Sequence, residues 1–383
     1  MGKKQNKKSK KNIFFPFITI LFGALIGFAC GIAMAKFSPA SSDSSPLGDS
    51  FLVRWGAELI ILCAALLVQT ILHEAGHLIA GLLSGYTFSS FRIGSFMWVK
   101  EHGKIKFRRL SVAGTGGQCL MNPPDLVDGK IPVVLYNLGG PLINLSTVPV
   151  FVALYFLFRD NPFLSSIFLM LYMTGLIYAL INGIPLKTGF INNDGYNALE
   201  LSKSPEALRS FWMQMKVNEQ LSRGVRLKNM PQEWFVLPDE SHMENSMVAA
   251  MAVFYENRRL DELAFEEVVP LIDRLLAMKS SIVPIHRDLL ICDRIYCELI
   301  GENDKAVIDR LYTKELTKFM KQMRTFPSVI RTQYAYALFY EHDAEKAAAL
   351  KTQFEKCAKK HPYAADIESE QELLDIAAQK YAE

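Results

Sequence analysis

Hydrophobic positions are spread very unevenly along this chain. The first half holds four apolar runs, at about residues 13–35, 57–83, 131–158 and 163–181, each near the roughly 20 residues a helix needs to cross a bilayer. From Ser204-Pro205 onward the rhythm becomes amphipathic. Ser204 reads as a helix cap with Pro205 in the first helical position. Leu208, Phe211, Trp212 and Met215 then recur at helical spacing, as do Val268, Leu271, Leu275 and Leu276. Further on, Tyr334-Ala335-Tyr336-Ala337-Leu338-Phe339-Tyr340 and the alanine-rich residues 344–350 suggest paired helices of tetratricopeptide-like shape. No strict repeat period emerges, so an irregular helical bundle fits equally well.

The segments between the runs differ in character. Residues 36–53, rich in Ser, Pro and Asp, read as a flexible external loop, and Arg159-Asp160-Asn161-Pro162 as a short external turn. Residues 85–130 form a longer polar excursion. Within it, Phe96-Met97-Trp98-Val99-Lys100 and Ile105-Lys106-Phe107-Arg108-Arg109 flank Glu101-His102-Gly103-Lys104, which predicts a hairpin. Gly114-Thr115-Gly116-Gly117 lacks the strand-to-helix setting and the lysine of a phosphate loop, and reads as turn or loop. The pattern predicts an all-α polytopic membrane protein with about four transmembrane helices, a small β-hairpin insertion and a C-terminal α-helical soluble domain. Its parts are a basic tail (1–12), a transmembrane domain (13–203) and a helical domain (204–383).

Charge fixes an expected orientation. Of the 42 basic and 39 acidic side chains, 18 and 10 lie in residues 1–204, leaving 24 and 29 beyond them. In residues 85–130 basic side chains outnumber acidic ones seven to three, so the positive-inside rule puts this segment, the lysine-rich start and the helical domain in the cytoplasm. Gly2 is followed by Asn6 where a myristoylation signal wants Ser or Thr. Ala33-Met34-Ala35 resembles a signal-peptide cleavage site, but the apolar stretch before it is longer than such peptides carry and favours a retained anchor. Nothing resembles an organelle address, so a bacterial cell membrane is the expected location. The net charge of +3 comes without a stripe of interleaved basic and aromatic residues, which argues against nucleic acid as a partner. The six cysteines (Cys30, Cys63, Cys119, Cys292, Cys297 and Cys357) contain no Cys-x-x-Cys pair, so neither a disulfide framework nor a cysteine zinc site is expected.

One apolar run carries chemistry. His73-Glu74-Ala75-Gly76-His77 is an H-E-x-x-H motif. Residues four apart share a helix face, so both imidazoles can converge on one ion while Glu74 stays near enough to move protons. Gln69 continues the same polar face one turn earlier. Ionisable groups are costly in an apolar segment and point to function. The plainer alternative makes one histidine a partner of a backbone carbonyl and the other a packing residue. In the third run Asn137 and Asn144 lie two turns apart on one face, with Gly139, Gly140 and Pro141 between them. Both asparagines also suit ordinary interhelical hydrogen bonding. His242, His286, His342 and His361 stand unaccompanied in the second half and read as surface or packing residues.

Taken together, His73-Glu74-Ala75-Gly76-His77, Gly140-Pro141-Leu142-Ile143-Asn144 and Asn182-Gly183-Ile184-Pro185 leading to Asp194-Gly195 resemble the site-2 protease family of intramembrane zinc metalloproteases. The likeness covers roughly residues 55–205. It implies one zinc ion per chain held by His73, His77 and Asp194, with Glu74 as the catalytic base. It also implies that Asn144 holds substrate or stabilises the oxyanion. The implied substrate is a membrane protein cut in or near its transmembrane segment, and the lipid bilayer is the other partner. The link from Pro185 to Asp194 is longer than the family's. Asn192 and Asn193 are poor competitors for the ligand role, because neutral amides bind zinc weakly beside a carboxylate. A substrate helix must unwind to be cut, and the hairpin at 96–109 can either add a strand to it or lie against anionic headgroups. The second half would recruit substrate or another protein partner. The alternative from a different class is a catalytically inactive zinc-binding membrane scaffold whose helical domain binds protein partners. A metal transporter is a weaker third, because no chain of ionisable residues crosses the bilayer.

Overall fold

The computed structural model of the chain describes residues 51–101, 103–110, 116–186 and 192–383. The tail and first run expected at 1–12 and 13–35 lie outside these residues, as do His102, Gly114 and Thr115. Among the described residues the protein is mostly helical, with thirteen α-helices and one small antiparallel sheet. The chain divides into two compact units, one of residues up to Gly76 with Gly140–Tyr196, the other of His77–Gly139 with Asn197–Glu383.

Three long apolar helices supply most of the first unit: α1 (Phe51–Leu83) up to Gly76, α2 (Val133–Leu157) from Gly140, and α3 (Pro162–Gly183). All three are long and apolar enough to cross a membrane, with mean hydropathies of 2.0, 1.7 and 2.0 over their most apolar stretches. That stretch is 44% buried in α3 but 17% buried in each of the others, so α3 carries the largest share of packing. Ala65 on α1 meets Met170 and Leu171 on α3, a small residue admitting larger ones. Ile60, Leu67, Val150 and Phe156 remain exposed, an apolar belt compatible with a lipid surround. Helix α1 begins six residues before the expected start at 57. Glu58 does not end it, because its carboxylate accepts a hydrogen bond from Ser166 Oγ at 3.1 Å. The start of α3 is fixed by Asn161, whose side chain accepts from the Leu164 amide at 3.1 Å, and by Pro162, which has no amide hydrogen to leave unpaired.

In the second unit the expected hairpin is present as β2 (Phe96–Glu101) and β3 (Lys104–Arg109), paired from Phe96↔Arg109 to Glu101↔Lys104. It belongs to a larger sheet. Strands β1 (Thr87–Ile93) and β4 (Gly117–Asn122) extend it in the order β3-β2-β1-β4. The register of β1 against β4 shifts between Phe88 and Ser90, which breaks the alternation that would reveal a strand in the sequence. Gly117, expected in a loop, opens β4. Cys119 and Met121 of β4 bury themselves with Tyr86, Ile131 and Tyr136 against Leu208, Phe211 and Met215.

Those last three residues lie on α5 (Pro205–Ser222), which follows the short α4 (Asp194–Lys203). The expected cap is there: Ser204 Oγ accepts from the Ala207 amide at 3.1 Å. Eight further helices build the rest: α6 (Ser246–Asp261), α7 (Phe265–Ala277), α8 (Pro284–Ile300), α9 (Lys305–Leu311), α10 (Lys314–Gln322), α11 (Pro327–Phe339), α12 (Ala344–Ala358) and α13 (Ala364–Ala382). Val268, Ile272 and Leu275 of α7 bury one stripe against Leu290 and Ile295 of α8 within a core that reaches α13. Helices α11 and α12, expected as a pair, pack on each other.

Candidate metal centre

Helix α1 carries a run of buried polar side chains, and Asn144 on α2 is buried with them. Gln69 and Asn144 are fully buried, and His73, Glu74 and His77 nearly so. Buried polar groups need partners, and the Nδ1 of each histidine has one. His73 Nδ1 is 2.7 Å from Asn144 Oδ1 on α2. His77 Nδ1 is 2.9 Å from the carbonyl oxygen of Tyr136. A carbonyl only accepts, so His77 carries a proton on Nδ1, and the neutral ring then has its lone pair on Nε2.

The ring of His73 needs room as well as a partner. A Cβ on Gly140 would lie 2.6–2.7 Å from three of its ring atoms, so only glycine lets α2 pass this close. The opposite edge faces Asp194, with His73 Nε2 and Asp194 Oδ2 3.0 Å apart. One ligand atom each from His73, His77 and Asp194 lies within 4.8 Å of the others. Glu74 follows His73 on the same helix. Two imidazole nitrogens and one carboxylate oxygen are donors of the kind zinc takes. Zinc ligands held at roughly 2.0–2.2 Å on a tetrahedron stand about 3.3–3.6 Å apart, close to the spacing of the His73–Asp194 pair. The residues therefore fit the ion.

Asp194 is positioned by its neighbour, Asn193. Asn193 Nδ2 donates to the carbonyls of Ile181 and Ile184, both at 2.6 Å, while its Oδ1 accepts from the amides of Leu186 and Tyr196 at 3.1 and 2.9 Å. It caps α4 and fastens that helix to the end of α3, which sets the position of Asp194. Gly195 completes the junction, since a Cβ there would be 2.2 Å from the carbonyl oxygen of Gly183.

Asn144, expected to hold substrate or stabilise the oxyanion, bonds to Gln69 and His73. Its Nδ2 donates to the Gln69 carbonyl at 3.1 Å and to Gln69 Oε1 at 2.7 Å, and its Oδ1 faces His73. Asn137 bonds within its own helix, to the Val133 carbonyl at 2.8 Å, and serves packing. Two residues escaped sequence reasoning as contributors: Gln69, visible only as a polar position one turn before His73, and Asn193, visible as an asparagine just ahead of a helix. Of the unaccompanied histidines, His242 and His342 are exposed. His361 lies 3.2 Å from Asp366, and His286 lines a cavity of about 280 Å³ in the helical half.

In comparisons with protein-family models, curated proteins and solved structures, nothing matches this chain.

Proposed function

We propose that the chain is an intramembrane zinc metalloprotease of the site-2 type, cutting a membrane-protein substrate in or near its transmembrane segment. The observation that carries this reading is the convergence of His73, His77 and Asp194 within 4.8 Å, beside Glu74 on the helix that holds both histidines. Support also comes from three helices long and apolar enough to cross a membrane.

When bound, zinc supplies Lewis acidity, making a water molecule a nucleophile near neutral pH and polarising a peptide carbonyl. Glu74 takes the proton from the attacking water and returns it to the departing amine, so one carboxylate serves as base and then acid. Asn144 and the Tyr136 carbonyl hold the two imidazoles in the orientation that presents Nε2. The cytoplasmic helical half, with its tetratricopeptide-like pair α11 and α12, recruits the substrate or controls its access.

The test uses the full chain reconstituted with zinc. Glu74→Gln should keep one zinc per chain and lose cleavage of a single-span substrate, because it removes the base without touching a ligand. Crosslinking that variant in its native membrane should capture a membrane protein that accumulates uncut. If cells carrying Glu74→Gln show the same membrane-protein fragments as wild type, the site is a scaffold and not a hydrolase.

A further inference from the structure

Gln69 lies outside contact with Asp194 and offers no zinc ligand, yet its surroundings are built with care. It is fully buried in α1. Its Nε2 donates to the Leu171 carbonyl on α3 at 2.8 Å. Space for that amide exists because residue 175 is glycine: a Cβ there would fall 2.8 Å from Nε2.

The direction of each hydrogen bond in this row can be worked out from its fixed end. The Leu171 carbonyl can only accept, so the Gln69 atom facing it is nitrogen, and Oε1 points the other way. Oε1 and the Gln69 carbonyl are both acceptors, so the Asn144 atom between them is nitrogen. Asn144 Oδ1 must then face His73 Nδ1. An acceptor there requires a proton on Nδ1, and the neutral ring then has its lone pair on Nε2, the atom that faces Asp194.

Without the Gln69 side chain, the stronger of the two acceptors that orient the Asn144 amide is gone, and only the residue-69 carbonyl at 3.1 Å still favours nitrogen at that end. Rotated by half a turn, the amide would present Nδ2 to His73, pull the lone pair to Nδ1 and place a hydrogen on Nε2, where the ion should bind. We infer that Gln69 is a positioning residue, which through Asn144 sets the tautomer of His73 and keeps its Nε2 ready for metal. The inference rests on the metalloprotease reading of the site, but concerns the metal grip and not the cleavage.

Metal affinity of the full chain in detergent, measured by chelator competition with zinc and by the visible spectrum of the cobalt-loaded protein, provides the test. Gln69→Leu should lower zinc affinity 10–100-fold, the usual loss when an outer partner of a metal-binding histidine is removed, and should change the cobalt spectrum. Asn144→Leu should do the same. Because both act through one row of bonds, the double variant should bind no worse than Asn144→Leu alone. Multiplied losses in the double variant would overturn the inference, as would a Gln69→Leu protein with wild-type affinity and spectrum. Should Gln69→Leu fail to fold, Gly175→Ala, which crowds the same amide from α3, is expected to lower affinity too; wild-type affinity there counts against the inference. Wild-type protein that binds no metal at all would instead defeat the metalloprotease reading.

Discussion

His73 Nε2 and Asp194 Oδ2 face each other at 3.0 Å across the meeting point of two helices far apart in the chain. With the His73 proton held on Nδ1 by Asn144, both facing atoms are electron-rich. Such a pair is repulsive unless a second proton on Nε2 or a cation lies between the two atoms, and His77 brings a further ligand atom within 4.8 Å. A divalent cation satisfies all three together. Asp194→Asn should therefore lower zinc content below one per chain while leaving the helices folded, because an amide replaces a charged ligand at equal size. Elemental analysis alongside circular dichroism provides the measurement. Unchanged metal content would mean that another group completes the site.

Gly140 tests how tightly the His73 ring is held. A Cβ at 2.6–2.7 Å from the ring cannot be relieved by a flexible tip, since the ring is held by Asn144 on one edge and faces Asp194 on the other. Gly140→Ala should destabilise the protein by about 1–3 kcal/mol, the usual cost of overpacking, and displace the imidazole. Thermal melts with and without added zinc should show a lower transition and a smaller upward shift with metal than wild type. A variant matching wild type in both would indicate that α2 stands further from the ring.

The sequence exposed the apolar helices and the His73–His77 spacing because each depends on local pattern alone: run length in one case, one helical turn in the other. The β2–β3 pair was equally legible, as Phe96, Trp98 and Lys100 alternate with buried Met97 and Val99. β1 and β4 were not, because Ser89 and Ser90 interrupt the alternation and a glycine run leads into β4. The roles of Gln69, Asn144 and Asn193 were hidden for a different reason. An amide can donate or accept, and which it does depends on backbone groups that only the fold brings near. For Asn144, expected to hold substrate or stabilise the oxyanion, the bonds seen are those of its Nδ2 to Gln69, a partner no local pattern reveals.

Asn193 makes a separable prediction, because it binds no ligand yet fixes the one beside it. Its amide group satisfies four backbone groups. Asn193→Ala leaves them without these bonds and should cost about 1–3 kcal/mol. Asn193→Asp keeps the cap on α4 but loses the two donations to the Ile181 and Ile184 carbonyls. It should retain α4 and still weaken zinc binding, since Asp194 would no longer be tied to the end of α3. Zinc titration of the two variants separates helix capping from ligand placement. Equal affinity in Asn193→Asp and wild type would show that the cap alone positions Asp194.

In the helical half, a buried charged cluster should make stability depend on pH. Arg331 is fully buried on α11, paired with Asp293 on α8 and with Glu370 on α13 at 2.9 Å. Glu256 on α6 is also fully buried nearby. Burial pushes the pKa of all three carboxyls upward, with Arg331 pulling against it; Glu370 is pushed up to about 7. A carboxyl with a raised folded-state pKa holds its proton where the unfolded chain has released it, so stability falls as pH rises. For Glu370 the contribution is fully present below its ordinary value of 4.5 and is lost as pH rises to about 7. The unfolding temperature of the helical half should therefore drop across that window. Glu370→Gln, which keeps an acceptor for Arg331 but cannot ionise, should make the drop shallower. Near-ultraviolet circular dichroism melts at about pH 5 and pH 7.5 compare the two proteins, and parallel slopes would show that Glu370 is already ionised in the fold.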